Sequence, residues 1–431
     1  MADTPKQGMA RITLAAALAA GLLAAALPMT TMAQDAEEGI DDGSTLTLWT
    51  RAATEARATP LVEAYNATHE NQVEMQIFET DAYQATVAAA AGSGTLPDLF
   101  SADVVFMPNW TSAGLFTDLT DRIDNMAGIE NVAPAHIDAS TWAGVKYGMP
   151  FIIDLSVWMW NKDIYAAAGL DPDAGPTSLA EFEAQARAVA EAGLTADDGS
   201  QIYGTFFGGN CGGCQVFTWW PIIWASGEQV MNEDGTEAFL DSEVAREVYA
   251  AHARMFADGT ADPFSNEETG PTWTSFLPAG KVGVMPMPAS LTGIPEGINL
   301  GVTPIAGVDG GESTFVGGDS IGVSKDSDKV DQAWNFLAWL QSEEAQVGVV
   351  SANGGVVSRT DLADNEFSSA DPRLVAFNEV AGKGVTPLAV KFGETFNNPQ
   401  GPWLVLTRNA VFRPDEDTVD ADNDAVTESL Q

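Results

Sequence analysis

Basic residues are scarce in this chain. Its 431 residues hold 19 Lys and Arg against 61 Asp and Glu, a formal net charge of −42 at pH 7. That balance argues against nucleic-acid binding, because phosphate contacts are made by Lys and Arg, and against attachment to anionic membrane surfaces. The acids are spread along the chain, which reads as a solubility device of the kind used in saline habitats. Histidine is scarcer still: His69, His136 and His252 stand far apart, with no ligand-like spacing for a metal. The six Tyr are scattered, which argues against a clustered-tyrosine iron site. Long apolar runs are absent beyond the N-terminus, so no later segment predicts a membrane-spanning helix.

The one apolar run, Ile12 to Leu27, falls short of the ~20 residues that a spanning helix needs. Lys6 and Arg11 precede it, and Thr31-Met32-Ala33 follows with small residues at both ends of the triplet. This pattern predicts a secretory signal peptide, with cleavage expected near Ala33. No Cys lies near the cut, so a lipid-anchored N-terminus is not expected. Residues 34–43 read as a solvated acidic tail.

Cysteine is limited to Cys211 and Cys214, within Gly208-Gly-Asn-Cys-Gly-Gly-Cys214. An oxidising compartment would join them. A metal site lacks further ligands. A thioredoxin-type pair normally opens a helix, and the flanking glycines argue against one here. The preferred reading is a small structural disulfide shaping a Gly-rich loop.

What is present is globular: 45% hydrophobic residues, 19% charged residues and twelve Trp. The length suggests two or three domains. Thr45 to Trp49 opens as a strand, Thr59 to His69 has helical spacing, and Val73, Met75 and Ile77 alternate as in a strand. Ala82 to Ala91 is helical, and Leu96-Pro-Asp-Leu-Phe100 begins another strand. This rhythm predicts βαβ units and a parallel sheet. Met149 to Trp160 predicts a buried strand carrying Asp154. Ser178 to Glu181 forms a capping box, with Leu179, Phe182, Ala186 and Val189 on one helix face. A further helix, with Val330, Trp334 and Leu337 on one face, follows Ser327.

Catalytic patterns fail on inspection. Gly318-Asp-Ser320-Ile-Gly322 matches the serine-hydrolase pattern, but a strand follows the Ser and no His follows it in the chain. Gly280-Lys281 lacks the remaining parts of a phosphate loop. Asp420, Asp422 and Asp424 start a calcium-loop rhythm without its Gly or terminal acid, and read as an acidic tail. No cofactor is expected.

Several segments, in order, resemble the extracellular solute-binding proteins of ABC importers, in the sugar-binding branch that includes maltose-binding protein. They are Leu46 to Trp49, Ala88 to Leu99 with its Gly92 and Pro97-Asp98, Met149-Pro150 to Asp154 with Asn161-Lys162-Asp163, Pro176 to Phe182, Ala279 to Met285, and Gly317 to Gly322 with the helix after it. The resemblance implies an α/β fold of two lobes joined by crossing segments, with a ligand cleft between them. It implies a first lobe of 45–153 and 312–371 behind a 34–44 tail, and a second of 154–311 and 372–431. It places Thr50, Arg51, Glu55, Tyr83, Asp103 and Asp154 at the cleft. Trp219, Trp220, Met287, Ser290, Gly317, Gly318, Asp319, Trp403 and Arg408 complete the implied set. Ser290 stands about where relatives carry a large aromatic, and the Cys-Gly-Gly-Cys loop is not general to the family. The implied function is a monomeric, non-enzymatic periplasmic receptor that passes a mono- or oligosaccharide to membrane permease subunits. The alternatives are an exported carbohydrate-active enzyme and a receptor for a non-sugar ligand such as a polyamine.

Overall fold

The computed structural model describes residues 39–290, 295, 297–381 and 384–431. The signal segment 1–33 lies outside the described residues. Leu46 and Leu48 alternate inward along β1 (Thr45–Arg51). Strands β2 (Gln72–Phe78) and β3 (Leu99–Asp103) lie parallel to it on either side. Helices α1 (Glu55–Thr68) and α2 (Thr80–Ser93) make the crossovers, and Gly94 ends α2 in the left-handed conformation (φ 66°).

Beyond β3 the expected parallel sheet gives way to a mixed one. β7 (Val316–Val323) runs antiparallel to β3, and β4 (Gly148–Asn161) runs antiparallel to β7. The order is β2-β1-β3-β7-β4, because β7 arrives from the other lobe and runs back between β3 and β4. β4 belongs to both lobes. Its Gly148–Leu155 half pairs with β7, and from Ser156 onward it pairs with β5 (Val284–Pro288) and β6 (Leu300–Pro304), both antiparallel. The partner changes between Leu155 and Ser156, directly after Asp154. Burial on both faces explains why β4 reads as an apolar run broken only by Asp154 and Ser156 before its terminal Asn161.

The helices follow their apolar faces. In α3 (Leu179–Glu191) the four predicted face residues are all buried. The Ser178 hydroxyl accepts from the Glu181 amide (3.1 Å), but the Glu181 carboxylate returns to the Thr177 amide (2.9 Å), one residue before the capping-box position. α6 (Val330–Leu340) buries Trp334 and Leu337 against Leu46, Leu48, Ile321 and Val323 of the first lobe. The second lobe adds α4 (Gly212–Ala225), α5 (Glu243–Ala257), α7 (Pro402–Phe412) and α8 (Val419–Leu430).

Three local expectations are corrected. The glycines after Cys211 do not prevent a helix: Cys211 caps α4, its sulfur accepting from the Cys214 amide (3.1 Å). Gly212 and Gly213 sit in the first turn, where amides need no intrahelical partner, and a Cβ on Gly212 would stand 2.3 Å from the Phe396 carbonyl oxygen. The acidic C-terminus is not a tail but α8, whose Val419, Val426 and Leu430 form a buried stripe at helical spacing. The acidic stretch before β1 is held from Gly39 on. The Ile40 amide donates to the Asp331 carbonyl (3.1 Å), and the Asp41 carboxylate accepts from the Asn71 amide (2.6 Å).

Candidate ligand-binding cleft

A cleft of about 530 Å³ lies where β4 changes partner, lined from both lobes. The first lobe supplies strand ends and the start of α1. Arg51 closes β1, and the 3–4 spacing of Ala53, Ala56 and Arg57 turns one face of the next turns toward the cleft. Asp103 ends β3, and Gly317 and Gly318 belong to β7. Gly318 has φ 96°, and a Cβ there would stand 2.0 Å from the Ile152 carbonyl oxygen, opposite the irregularity in β4. Only glycine fits.

The charged floor is a connected network. Arg51 donates to Asp319 through Nε (2.9 Å) and Nη2 (2.5 Å), and its Nη1 meets Asp103 (3.0 Å). Ser101 Oγ donates to the other Asp319 oxygen (2.8 Å). Asp319 is fully buried, so Arg51 is its necessary counter-charge. Burial alone would lower the Arg51 pKa, but Asp103 and Asp319 outweigh it and hold the guanidinium charged. Burial raises Asp103 above the ordinary carboxylate value, with Arg51 opposing.

Asp154 is held more loosely. Arg57 reaches its Oδ2 at 3.4 Å, and Oδ1 is buried with no hydrogen-bond partner. Burial raises its pKa, and Arg57 opposes the rise. With Asp103, Asp154 and Asp319 against Arg51 and Arg57, one negative charge is left over. That charge and the orphan oxygen suit a ligand that brings hydrogen-bond donors.

Aromatic rings form the opposite wall: Phe217 on α4, Trp273, Phe315 and Phe392. Phe217 and Trp273 are half-buried and meet edge to face, with centroids 6.5 Å apart. Asn397 and Thr274 add polar groups. A smaller cavity of about 120 Å³ adjoins Arg57 behind the first-lobe wall. It lacks carboxylates and is not shared between the lobes, so the larger cleft is the candidate site.

The predicted residues divide. Arg51, Asp103, Asp154, Ser290, Gly317 and Gly318 line the cleft, as does Cys214. Thr50, Tyr83 and Asp319 lie directly beneath it. Thr50 Oγ1 bonds Ser101 Oγ (2.8 Å), and the Tyr83 hydroxyl donates to the Ser101 carbonyl (2.8 Å). Glu55 is exposed and is not among the residues lining the cleft. Met287 is in the second-lobe core, with Pro288 and Ser290 turned to the cleft instead. Trp219, Trp220 and Trp403 are core residues rather than cleft lining. Trp219 packs on His252, while Trp220 packs on Phe396 and Trp403. Arg408 donates to the Gly209 and Asn266 carbonyls (3.1 and 2.9 Å), tying two loops together. Arg57, Phe217, Trp273, Phe315, Phe392 and Asn397 were not singled out in sequence. Arg57 had a signal, lying on the helical face begun by Ala53, whereas the rings had none beyond being aromatic.

A histidine that precedes Ser320 in the chain does reach it: Ser320 Oγ lies 3.1 Å from His136 Nδ1. Both are fully buried, and His136 Nε2 donates to the Gly317 carbonyl (2.9 Å) rather than to a carboxylate. The pair braces β7 beneath the cleft. Cys211 and Cys214 lie at disulfide distance. Among the described residues, no group of three or more His, Cys, Asp or Glu could hold a metal ion, and no helix is long and apolar enough to cross a membrane.

Two α/β lobes on a shared strand, with a polar and aromatic cleft at their junction, define a two-lobed binding protein. Residues 51–347 match the bacterial extracellular solute-binding protein family, and the chain belongs to that family. A putative binding protein of Brucella abortus is 24% identical over 247 residues, covering 56% of this chain and 57% of the relative. A probable amino-acid ABC transporter periplasmic-binding protein of Sinorhizobium fredii is 25% identical over 240 residues, covering 53% and 51%. The chain thus spans about half the length of the curated relatives it matches. Among solved structures, an ABC transporter solute-binding protein of Thermotoga lettingae bound to α-D-tagatose shares the fold, with a TM-score of 0.75 at 17% identity. That match covers 90% of this chain and 100% of the other. The family and these neighbours are binding proteins.

Proposed function

We propose that this chain is the periplasmic receptor of an ABC importer, which reversibly binds a mono- or oligosaccharide between its lobes as a monomer and delivers it to membrane permease subunits. No bond is made or broken. The observation that carries the reading is the Asp154 carboxylate. Its buried Oδ1 has no partner and stands in a cleft that also presents the Trp273 and Phe217 rings. A sugar brings both complements, hydroxyl donors for the carboxylate and C–H faces for the rings. Arg51 and Arg57 add donors for ring and glycosidic oxygens. The Thermotoga relative's tagatose supports the same ligand class.

A thermal-shift panel of sugars, amino acids and polyamines tests this. A ligand at a hundredfold excess over Kd stabilises the folded state by about 2.7 kcal/mol. A rise in Tm with one sugar group, lost in Asp154→Asn and Trp273→Ala, is the expected result. The Sinorhizobium relative's printed substrate makes amino acids the informative contrast. A rise with an amino acid or polyamine and none with any sugar overturns the ligand class. Product release from glycosides incubated with the protein overturns the receptor reading.

A further inference from the structure

The geometry points to the Cys211–Cys214 bridge as the positioning device for the Trp273 wall of the cleft, so that reduction of the bridge loosens that wall. The segment 265–270 lies along the loop 207–211, joined to it by a row of bonds. The Gly209 amide donates to the Ser265 carbonyl (2.8 Å), and the Asn210 amide donates to the Glu268 carbonyl (3.0 Å). Arg408 clamps the pair from the side, through the Gly209 and Asn266 carbonyls and Asn266 Oδ1 (3.0 Å).

The sulfurs themselves are packing partners of the Trp273 segment. A Cβ on Gly270, at φ 121°, would stand 3.2 Å from Cys211 Sγ and 3.5 Å from Cys214 Sγ. Gly270 therefore rests its bare Cα face on the bridge. From there the chain turns directly to Trp273. The turn is built on Glu268, whose buried carboxylate accepts from the Gly270 amide (2.6 Å) and from the Thr272 amide and hydroxyl. Trp273 then meets Phe217, one helical turn beyond Cys214 on α4. Both rings of the wall are thus referenced to one pair of sulfurs, and Cys214 itself lines the cleft.

Reduction by a phosphine breaks the S–S bond, adds one proton to each sulfur, and transfers oxygen from water to the phosphine. Two thiols replace the bridge, and each sulfur gains its own rotational freedom. Gly270 then loses a fixed support while the lobes keep their cores.

Hydrogen exchange on the intact protein, with and without a phosphine reductant, tests this. Amides of 265–275 are expected to exchange at least about tenfold faster after reduction, with α3 and α6 unchanged. The Cys211→Ser/Cys214→Ser double variant is expected to reproduce the pattern without reductant and to be insensitive to it. Unchanged exchange in 265–275, or uniform acceleration through both lobes, overturns the proposal. The consequence for ligand rests on the sugar-receptor reading: a sugar that binds the oxidised protein is expected to bind the reduced form at least about tenfold more weakly. If no sugar binds either form, that reading fails, while the exchange pattern still decides the role of the bridge.

Discussion

At the scale of single residues, the cleft depends on which charges are already satisfied. Arg51 is committed to Asp319 and Asp103, so its first role is to keep a buried carboxylate in place. Arg51→Ala is expected to destabilise the fold by about 3–5 kcal/mol, because Asp319 would be left buried without a counter-charge. Urea unfolding of the variant checks this, and Asp319→Asn added to it should recover part of the loss. The two buried histidines make a second prediction. Burial lowers His136 and His252 to about 4, with a backbone carbonyl bond opposing in each case. Unfolded, each ring takes its proton near its ordinary value of 6.5. Between those values the unfolded chain binds more protons, so this contribution is complete above pH 6.5 and is lost as the pH falls toward 4, by roughly 3 kcal/mol per ring. Asp103 and Asp154 act in the opposite sense, since their raised values favour the folded state at the acidic end of that range. A urea series across this range should show net acid destabilisation, and His252→Gln should reduce it. Asp154 was legible in sequence because a carboxylate inside an apolar strand demands partners. The tryptophans were not. Trp219 and Trp220 are buried because α4 is apolar nearly all round, and a helix of that kind carries no sign of which face meets the cleft.

Elements were legible where their period was strong. β1 to β3 with α1 and α2 follow from alternating and helical spacing, and α3 follows from its cap and its stripe. Sheet order and strand direction were not legible, because the pairing of β7 between β3 and β4 joins residues more than a hundred positions apart, with no local signature. α4 was missed because glycine lowers helix propensity, yet its glycines occupy the first turn and allow close approach to Phe396. The β7–β4 contact yields a prediction at this scale. Gly318→Ala would drive a methyl group into the Ile152 carbonyl and force a left-handed backbone on a residue with a Cβ. A loss of about 3 kcal/mol or more is expected, read by thermal or urea unfolding. Gly280→Ala, also at positive φ (67°) but facing open space, should cost less, which separates backbone strain from collision.

For the whole molecule, the charge of −42 sets the largest long-range term. Self-repulsion weakens the compact state and salt screens it, so Tm is expected to rise as NaCl increases from about 0.05 M to 1 M, over which the Debye length falls to about 3 Å. A flat or falling Tm would show that local ion pairs, such as Arg254–Glu183, outweigh the diffuse repulsion. The family and its two-lobed plan were legible from motifs in series, whereas the cleft was not, since its walls come from eight separate stretches of chain. The position of β7 has one more consequence, in the order in which the chain is made. The first lobe's sheet has a gap between β3 and β4 until residues 316–323 exist. A growing chain therefore cannot close either lobe until about three-quarters of it has been synthesised. Until then the first three-quarters of the chain has no complete sheet on which to settle.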